Sequence, residues 1–169
     1  IHATPEALAN VRAELGLDKS FMSQYFDWIG NLLLGRSQQS IHYKLPVYEL
    51  ILESLAVTGP MALIAMLFAL VISLPLGIYA ARHQNQTGDV TVMFGTKLGL
   101  ATPEFWFGIL LTLLFSVQLG WFSAGGFPGW SKDFWGSIKA LLLPSFALGV
   151  IRASILTRLT RSSMLEVLR

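Results

Sequence analysis

Three long stretches with very few charged residues dominate the hydrophobic pattern of the chain. The first, residues 54–81, contains no Asp, Glu, Lys or Arg. As a helix rising about 1.5 Å per residue it would measure roughly 40 Å, enough to cross a hydrocarbon core of about 30 Å with some tilt. We therefore predict a membrane span at about 55–81. Pro60 and Pro75 lie inside it, and membrane helices tolerate proline where neighbouring groups take up the freed carbonyls.

The second apolar stretch follows a short polar turn at 84–89 and is interrupted by the tripeptide Thr102-Pro103-Glu104. This tripeptide has the sequence of a helix start, with Thr as N-cap, Pro at the first helical position and Glu placed favourably in the helix dipole. We predict a span at about 98–119, with a break or kink at the tripeptide.

The third apolar stretch runs from about Trp135 to Leu159 and contains Lys139 and Arg152. We predict a span at about 138–159. The segment 120–133 before it is rich in Gly, Pro, Ser and Trp, which predicts a loop. Aromatic residues gather there as they do at membrane surfaces, so the loop either anchors at the interface or contacts a partner protein. They are Trp121, Phe122, Phe127, Trp130 and, just beyond the loop, Trp135.

The first 54 residues predict a helical segment outside the membrane. Thr4-Pro5-Glu6 is a helix-start signature and Gly16 a stop. Apolar residues then recur at helical spacing, which predicts a second short helix. After Pro46, an amphipathic helix is expected to run into the first span. The apolar residues of the second helix are Phe21, Tyr25, Phe26, Trp28, Ile29, Leu32 and Leu33.

Composition and charge agree with a membrane protein. Hydrophobic residues make up 53% of the chain and charged residues 13%, with a mean hydropathy of +0.57. The fold class predicted is therefore an all-α, polytopic transmembrane bundle with three spans, residues 1–54 forming the outer segment and 55–169 the membrane domain. The net charge of +2 and the lack of a basic run argue against nucleic-acid binding.

The distribution of arginine predicts the orientation. The tail from 157 onward carries Arg158, Arg161 and Arg169 against Glu166 as its single acid. Since positive segments remain in the cytoplasm, the tail is predicted to lie inside. Three crossings then place 1–53 and 120–133 outside and 82–89 inside.

No catalytic or cofactor chemistry is indicated by the sequence. It contains neither a phosphate-binding loop nor a dinucleotide-binding fingerprint, so any use of ATP is expected in another chain. The chain has no cysteine, and its three histidines, His2, His42 and His83, are scattered, so no metal site is predicted. No Ser/His/Asp constellation can be placed, and we predict that the chain is not an enzyme.

Arg152 and Glu104 are the charged residues that stand out within the apolar stretches. An arginine about ten residues into a span is costly unless it faces a cavity, a partner or the interface. Arg152 therefore either lines a solute path, where it meets a carboxylate, or has a structural role by snorkelling or by pairing with another helix. Glu104 either contributes to transport or stabilises the helix dipole at the break.

Small residues in the apolar stretches are expected to let helices approach closely, as membrane packing favours. A place in a transport path is the alternative role for them. They are Gly95, Gly99, Ala101, Gly108, Ala147 and Gly149.

The order of these pieces resembles the dipeptide/oligopeptide/nickel permease family of ATP-binding-cassette (ABC) importers. The resemblance is specific because several sequence blocks occur in the family's order and with its spacing. Together these blocks cover nearly the whole chain. The longest blocks read LPLGIYAAR at 74–82, ATPEFWFG at 101–108, LLFSVQLGW at 113–121 and LTRSSMLEVLR at 159–169. Shorter blocks lie at 3–6, 12–18, 25–35 and 143–145.

The resemblance implies a multi-pass permease subunit of the bacterial inner membrane, of which a first span and the cytoplasmic segment that couples to the ATPase are missing here. The lead-in to that segment would be Arg161, Ser162, Ser163, Glu166 and Arg169. The implied partners are a second permease, two ATP-binding subunits that use the ATP, and an external solute-binding protein, besides the lipid bilayer. From the apolar stripe, Phe21, Tyr25 and Trp28 are candidates for contact with the binding protein. From the residues alone, Thr102, Pro103, Glu104 and Arg152 are candidates for the solute path or the helix break, and Arg152 has no match in the family pattern.

An alternative function is an integral-membrane scaffold or non-transport subunit that shares three spans and outer amphipathic helices. A soluble helical bundle is disfavoured because the charge-free stretch at 54–81 exceeds what core helices need. The solute is left open, because the residues of a transport path come from several helices and a second subunit.

Overall fold

Helices form the architecture of the part of the chain that the structure describes, and no β-strand occurs there. The structure, a computed structural model, describes residues 9, 12–13, 16–34, 40, 43 and 45–167. The predicted all-α fold class is confirmed. The helices are α1 (Phe21–Leu33), α2 (Val47–Arg82), α3 (Thr87–Ala101), α4 (Glu104–Leu111), a π-helical segment (Thr112–Gln118) and α5 (Phe134–Val167). The chain divides into two compact units, Ile1–Ala56 and Val57–Arg169.

Gly16 ends a helical turn in the first unit. Its φ of +66° is a left-handed conformation that glycine adopts without strain. The Gly16 N–H donates to the carbonyl of Ala13 (3.0 Å) and the Leu17 N–H to that of Arg12 (2.9 Å), which is the Schellman pattern. The predicted stop at Gly16 is confirmed, whereas the predicted start at 4–6 lies outside the described residues.

The apolar spacing after Gly16 forms α1, as predicted. Ser20 is its N-cap, and the Ser20 hydroxyl accepts a hydrogen bond from the Ser23 N–H (3.4 Å). None of the side chains of α1 is buried. The large apolar ones that are exposed are Phe21, Met22, Tyr25, Phe26, Trp28, Leu32 and Leu33.

In the second unit, α2 and α5 run parallel to each other. The Ser145 hydroxyl donates to the carbonyl of Met61 (3.1 Å), and sixteen residues further along α2, Gly77 lies against Thr160. The contacts therefore advance in the same direction along both helices. α2 begins at Val47, so the prediction that a helix starting after Pro46 runs into the first span is confirmed.

Small side chains form the closest part of the interface between α2 and α5. A series of buried residues recurs every four positions on α2, and a similar series does so on α5, so that each helix has a stripe of small side chains. At Gly149 a Cβ atom would lie 2.7 Å from the Cβ of Phe68 and 2.8 Å from the carbonyl oxygen of Ala65. The backbones approach this closely because the stripes carry so few atoms. The stripes are Ala65, Ala69, Ser73, Gly77 and Ala81 on α2, and Ser145, Gly149, Ala153 and Thr157 on α5.

The chain returns between these two parallel helices through α3, α4 and the π-helical segment. Their contacts with α5 occur in reverse order along it, so this path is antiparallel to α5. In chain order they are Asp89 with Arg161, Gly99 with Ser154, Glu104 with Arg152, Gly108 with Ala147, and Phe122 with Lys139. From Arg161 to Lys139, α5 rises about 33 Å, which matches the hydrocarbon thickness of a bilayer.

This return path is bent by 97° between α3 and α4, and the break predicted at 102–104 is confirmed. The prediction of Thr102 as N-cap is wrong. Thr102 is the C-cap of α3, and its hydroxyl donates back to the carbonyl of Leu98 (2.8 Å). Pro103 is the N-cap of the next helix, and α4 begins at Glu104.

Within the described part of the chain, two helices, α2 and α5, are long and apolar enough to cross a membrane, and the bent pair makes a third crossing when it is taken as one span. Its antiparallel course along α5 favours one broken crossing over a re-entrant loop. The helical path begins at Thr87, earlier than the 98–119 assigned from sequence, because Lys97 made the first half look polar.

The packing predicted for small residues holds at Gly99, which lies against the Ser154 hydroxyl, and at Gly149. At Gly108 a Cβ would make an ordinary contact of 3.9 Å with Ala147. At Gly95 no atom of the described residues lies within 4 Å of a Cβ placed there, so the prediction is not confirmed at this position. Ala101 is exposed.

We predict that Gly149→Ala lowers the free energy of unfolding of the full-length protein by about 1–3 kcal/mol, because the added methyl group meets Phe68 and the backbone of Ala65. Thermal or denaturant unfolding in detergent micelles measures the change. Gly95→Ala is the matched control, a helical glycine in open space, and should be neutral or stabilising by up to about 1 kcal/mol. Equal losses in the two variants would contradict the close contact.

Candidate functional site

Asp89 and Arg161 form a bidentate ion pair between the start of α3 and the last turns of α5. The Arg161 Nε donates to Asp89 Oδ1 and its Nη2 donates to Oδ2, both at 2.6 Å. The Asp89 side chain is only 5% exposed and that of Arg161 22%. Asp89 Oδ2 also accepts the N–H of Asn85 (3.0 Å), a residue held at a φ of +61°. One carboxylate therefore fixes the turn between α2 and α3 and ties it to α5.

Sequence reasoning placed Arg161 in the lead-in to a coupling segment and missed Asp89 as its partner. The two residues are 72 positions apart, so no local spacing connects them. The available signal was an acid in the first turn of an apolar helix and an arginine near the end of another, both assigned to the cytoplasmic side. That signal places both at one end of the bundle but does not pair them.

Glu104 and Arg152 form a second ion pair, deeper in the membrane domain. The bend after α3 brings Glu104, the first residue of α4, beside the middle of α5, where Arg152 Nη2 lies 2.9 Å from Glu104 Oε1. The structure thus brings together two of the residues that the sequence singled out. The side chains are 60% exposed for Arg152 and 35% for Glu104. Thr102 and Pro103 lie at the bend between α3 and α4.

A cleft of about 500 Å³ lies beside α4 and the part of α5 that precedes Arg152. The π-helical segment contributes to its wall, and such segments are frequent at functional sites. Lys139 Nζ lies 5.5 Å from the centre of the Phe122 ring, a cation–π contact at the rim. The lining is mostly apolar and includes Phe105, Ile109, Thr112, Phe122 and Pro144.

The remaining candidate residues on α5 lie beyond the ion pair with Asp89. Ser162, Ser163 and Glu166 are exposed, and α5 continues through Val167. Arg169 lies outside the described residues. Among the residues that the structure describes, no group of three or more His, Asp or Glu side chains is arranged to hold a metal ion.

On α1, Phe21, Tyr25 and Trp28 follow one another at i, i+4 and i+7, so they share one side of the helix. All three are exposed. Lys19, which precedes the N-cap of α1, donates a hydrogen bond of 2.6 Å to Asp27 on α1, and this bond and the charge of Asp27 raise the pKa of Lys19.

The sequence matches a family described as the binding-protein-dependent transport system inner membrane component over residues 73–169. Residues 2–74 match the N-terminal family of the same membrane components. The two matches together cover nearly the whole chain.

Similar proteins include the oligopeptide transport system permease protein AppB of Bacillus subtilis, 40% identical over 156 residues, which cover 90% of this chain and 49% of that protein. The oligopeptide permease OppB of Salmonella typhimurium is 35% identical over 97% of this chain and 52% of its own length. The dipeptide permease DppB of Alkalihalophilus pseudofirmus is 35% identical over 99% of this chain and 56% of its own length. The chain spans about half the length of the curated relatives it matches.

We predict that Asp89→Asn destabilises the full-length protein by about 3–5 kcal/mol, since it leaves the largely buried guanidinium of Arg161 without a counter-charge. Unfolding in micelles measures the loss. Arg158→Gln, which removes an exposed arginine from the same helix, is the control and should change stability by less than about 0.5 kcal/mol. Wild-type stability in Asp89→Asn would show that the pair does not hold α3 to α5.

Proposed function

Because the chain belongs to the binding-protein-dependent transport system inner membrane component family, we propose that it forms part of a permease subunit of an ABC importer for peptides or related small solutes. The family consists of multi-pass inner-membrane proteins that serve as the permease component. The observation that carries the proposal is the family match across both parts of the chain, together with relatives that are named as permeases for oligopeptides and dipeptides.

In this proposal the chain supplies a path and no reaction. It pairs with a second permease around a central cavity, while two partner subunits bind and hydrolyse ATP. The contact of α2 with α5 and the pair between Asp89 and Arg161 join three crossings into a body that moves as a unit. Movement imposed on the cytoplasmic end of α5 is thereby passed to the start of α3.

The exposed end of α5 is the proposed lead-in to the segment that couples to the ATPase subunits. Ser162, Ser163 and Glu166 lie beyond the locked part of the helix and are exposed, as a docking segment requires. Arg161 ends the internal packing through its bond to Asp89, and Arg169 completes the lead-in by its place in the sequence.

The side of α1 formed by Phe21, Tyr25 and Trp28 is proposed to receive an external solute-binding protein. Exposed aromatic side chains at helical spacing offer large contact areas, and aromatic residues are enriched at protein interfaces. The predicted topology places this helix outside the membrane, where such a protein would arrive.

Uptake by the complete transporter tests the proposed function. The full-length permease, produced with its partner subunits and binding protein in cells that lack other peptide importers, should take up labelled di- to pentaalanine in an ATP-dependent manner. Omission of this permease should abolish uptake. A scaffold or non-transport subunit, the alternative hypothesis, would leave uptake unchanged when it is omitted.

We predict that the triple variant Phe21→Ser, Tyr25→Ser, Trp28→Ser loses most of the ATPase stimulation that the binding protein gives to the complete complex, because the docking surface has lost its aromatic area. Basal ATPase activity and assembly should be unchanged.

The matched control is Met22→Ser, Phe26→Ser, Leu33→Ser, which removes three exposed apolar side chains from a neighbouring stripe of the same helix. It should retain stimulation by the binding protein. Similar behaviour of the two triple variants would argue that α1 contributes through general hydrophobicity and has no specific docking side.

A further inference from the structure

The ion pair of Glu104 and Arg152 lies deep in the membrane domain and yet faces away from the packing of the chain. Arg152 is nine residues before Arg161 and thirteen after Lys139, so it lies about 14 Å and 20 Å from their levels along α5. Both distances put the pair within the apolar depth of a bilayer. With side chains 60% and 35% exposed, these charges must face lipid, other protein or water.

Lipid is the least favourable of these surroundings, because an exposed intramembrane charge pair is costly there.

The backbone adds a second and independent argument. α3 ends at Ala101 and α4 starts at Glu104, so a helix break lies beside the pair. The first N–H groups of any α-helix lack partners within it, and broken helices at membrane depth occur where protein or a water-filled cavity surrounds them.

The two ion pairs that the structure describes between helices of the membrane domain are built differently. Arg161 donates two hydrogen bonds of 2.6 Å to the Asp89 carboxylate, which also accepts a hydrogen bond from the backbone N–H of Asn85. Arg152 has one contact of 2.9 Å with Glu104, which leaves most of its five N–H donors and one carboxylate oxygen outside the contact. The pair of Asp89 and Arg161 holds α3 to α5, whereas the pair of Glu104 and Arg152 has hydrogen-bond donors and an acceptor left for a ligand.

We propose that Glu104 and Arg152 form a contact site in the solute path for zwitterionic, peptide-like solutes. Arg152 binds the terminal carboxylate, and Glu104 binds an ammonium group. Between transport events the two side chains neutralise each other, so the empty path carries no uncompensated charge. When a solute arrives, each side chain exchanges its partner for one end of the solute, and total charge is conserved. This inference rests on the proposed function.

Uptake by the complete transporter tests the site. Arg152→Gln should lower the maximal rate of di- and trialanine uptake at saturating binding protein at least tenfold, whereas Arg152→Lys should retain a substantial part of it. The affinity of the binding protein for peptide stays the same, because the substitutions are in a different protein. Arg158→Gln, on the same helix, should transport as wild type. Equal membrane abundance of assembled complex is required of all variants.

The reversed pair, Glu104→Arg with Arg152→Glu, separates ligand contact from a structural role. A purely structural pair would be restored by the reversal, and recovery of wild-type uptake would overturn the proposal. Continued loss of uptake at normal abundance supports it.

Water access provides a measurement that does not depend on uptake by the variant. Arg152→Cys in the assembled complex should react with a charged methanethiosulfonate reagent, and Ala153→Cys, whose position is 2% exposed, should not. An unreactive Arg152→Cys would place the site in lipid or sealed protein and overturn the proposal.

If wild type transports no peptide, the proposed function fails. If wild type transports and Arg152→Gln does so equally well, only this inference fails.

Discussion

The close approach of α2 and α5 is the contact on which the arrangement of the membrane domain depends. In a bilayer, apolar side chains gain little by leaving lipid for protein, so helices associate where their surfaces fit closely. The small-residue stripes supply that fit, and Gly149 marks a place where even one methyl group has no room. Since the two helices run parallel, the chain must return between them, and the bent course of α3 and α4 along α5 is that return.

The sequence predicted the parts of this arrangement that depend on local composition. The charge-free run predicted α2, and the spacing of apolar residues predicted α1. The tripeptide Thr102-Pro103-Glu104 predicted the position of the break. The N-cap was misassigned because the Thr102 hydroxyl can bond to the turn before it as well as to the one after, and only the structure shows that it takes Leu98. The partners of Asp89 and Arg152 depend on how distant helices lie against each other, which no local pattern records.

Among the residues that the structure describes, the membrane domain contains two ion pairs, and they are built in opposite ways. The one at the predicted cytoplasmic edge is bidentate, largely buried and tied to a backbone turn; the one at depth rests on a single contact and is exposed. Burial of a charge pair is favourable only with good geometry and further hydrogen bonds, and the first pair meets both conditions. The second meets neither, so a role in stability explains it poorly, and its position beside a helix break points to polar surroundings.

The pairing of Asp89 with a residue 72 positions later also has a consequence in time. A chain is synthesised from its N-terminus, so α2 and α3 emerge before the end of α5 exists. Until Arg161 is made, Asp89 has no counter-charge and must stay hydrated at the membrane surface. The first half of the broken crossing can therefore settle against its neighbours only after the last turns of α5 have left the ribosome, which makes its docking a late event in biogenesis.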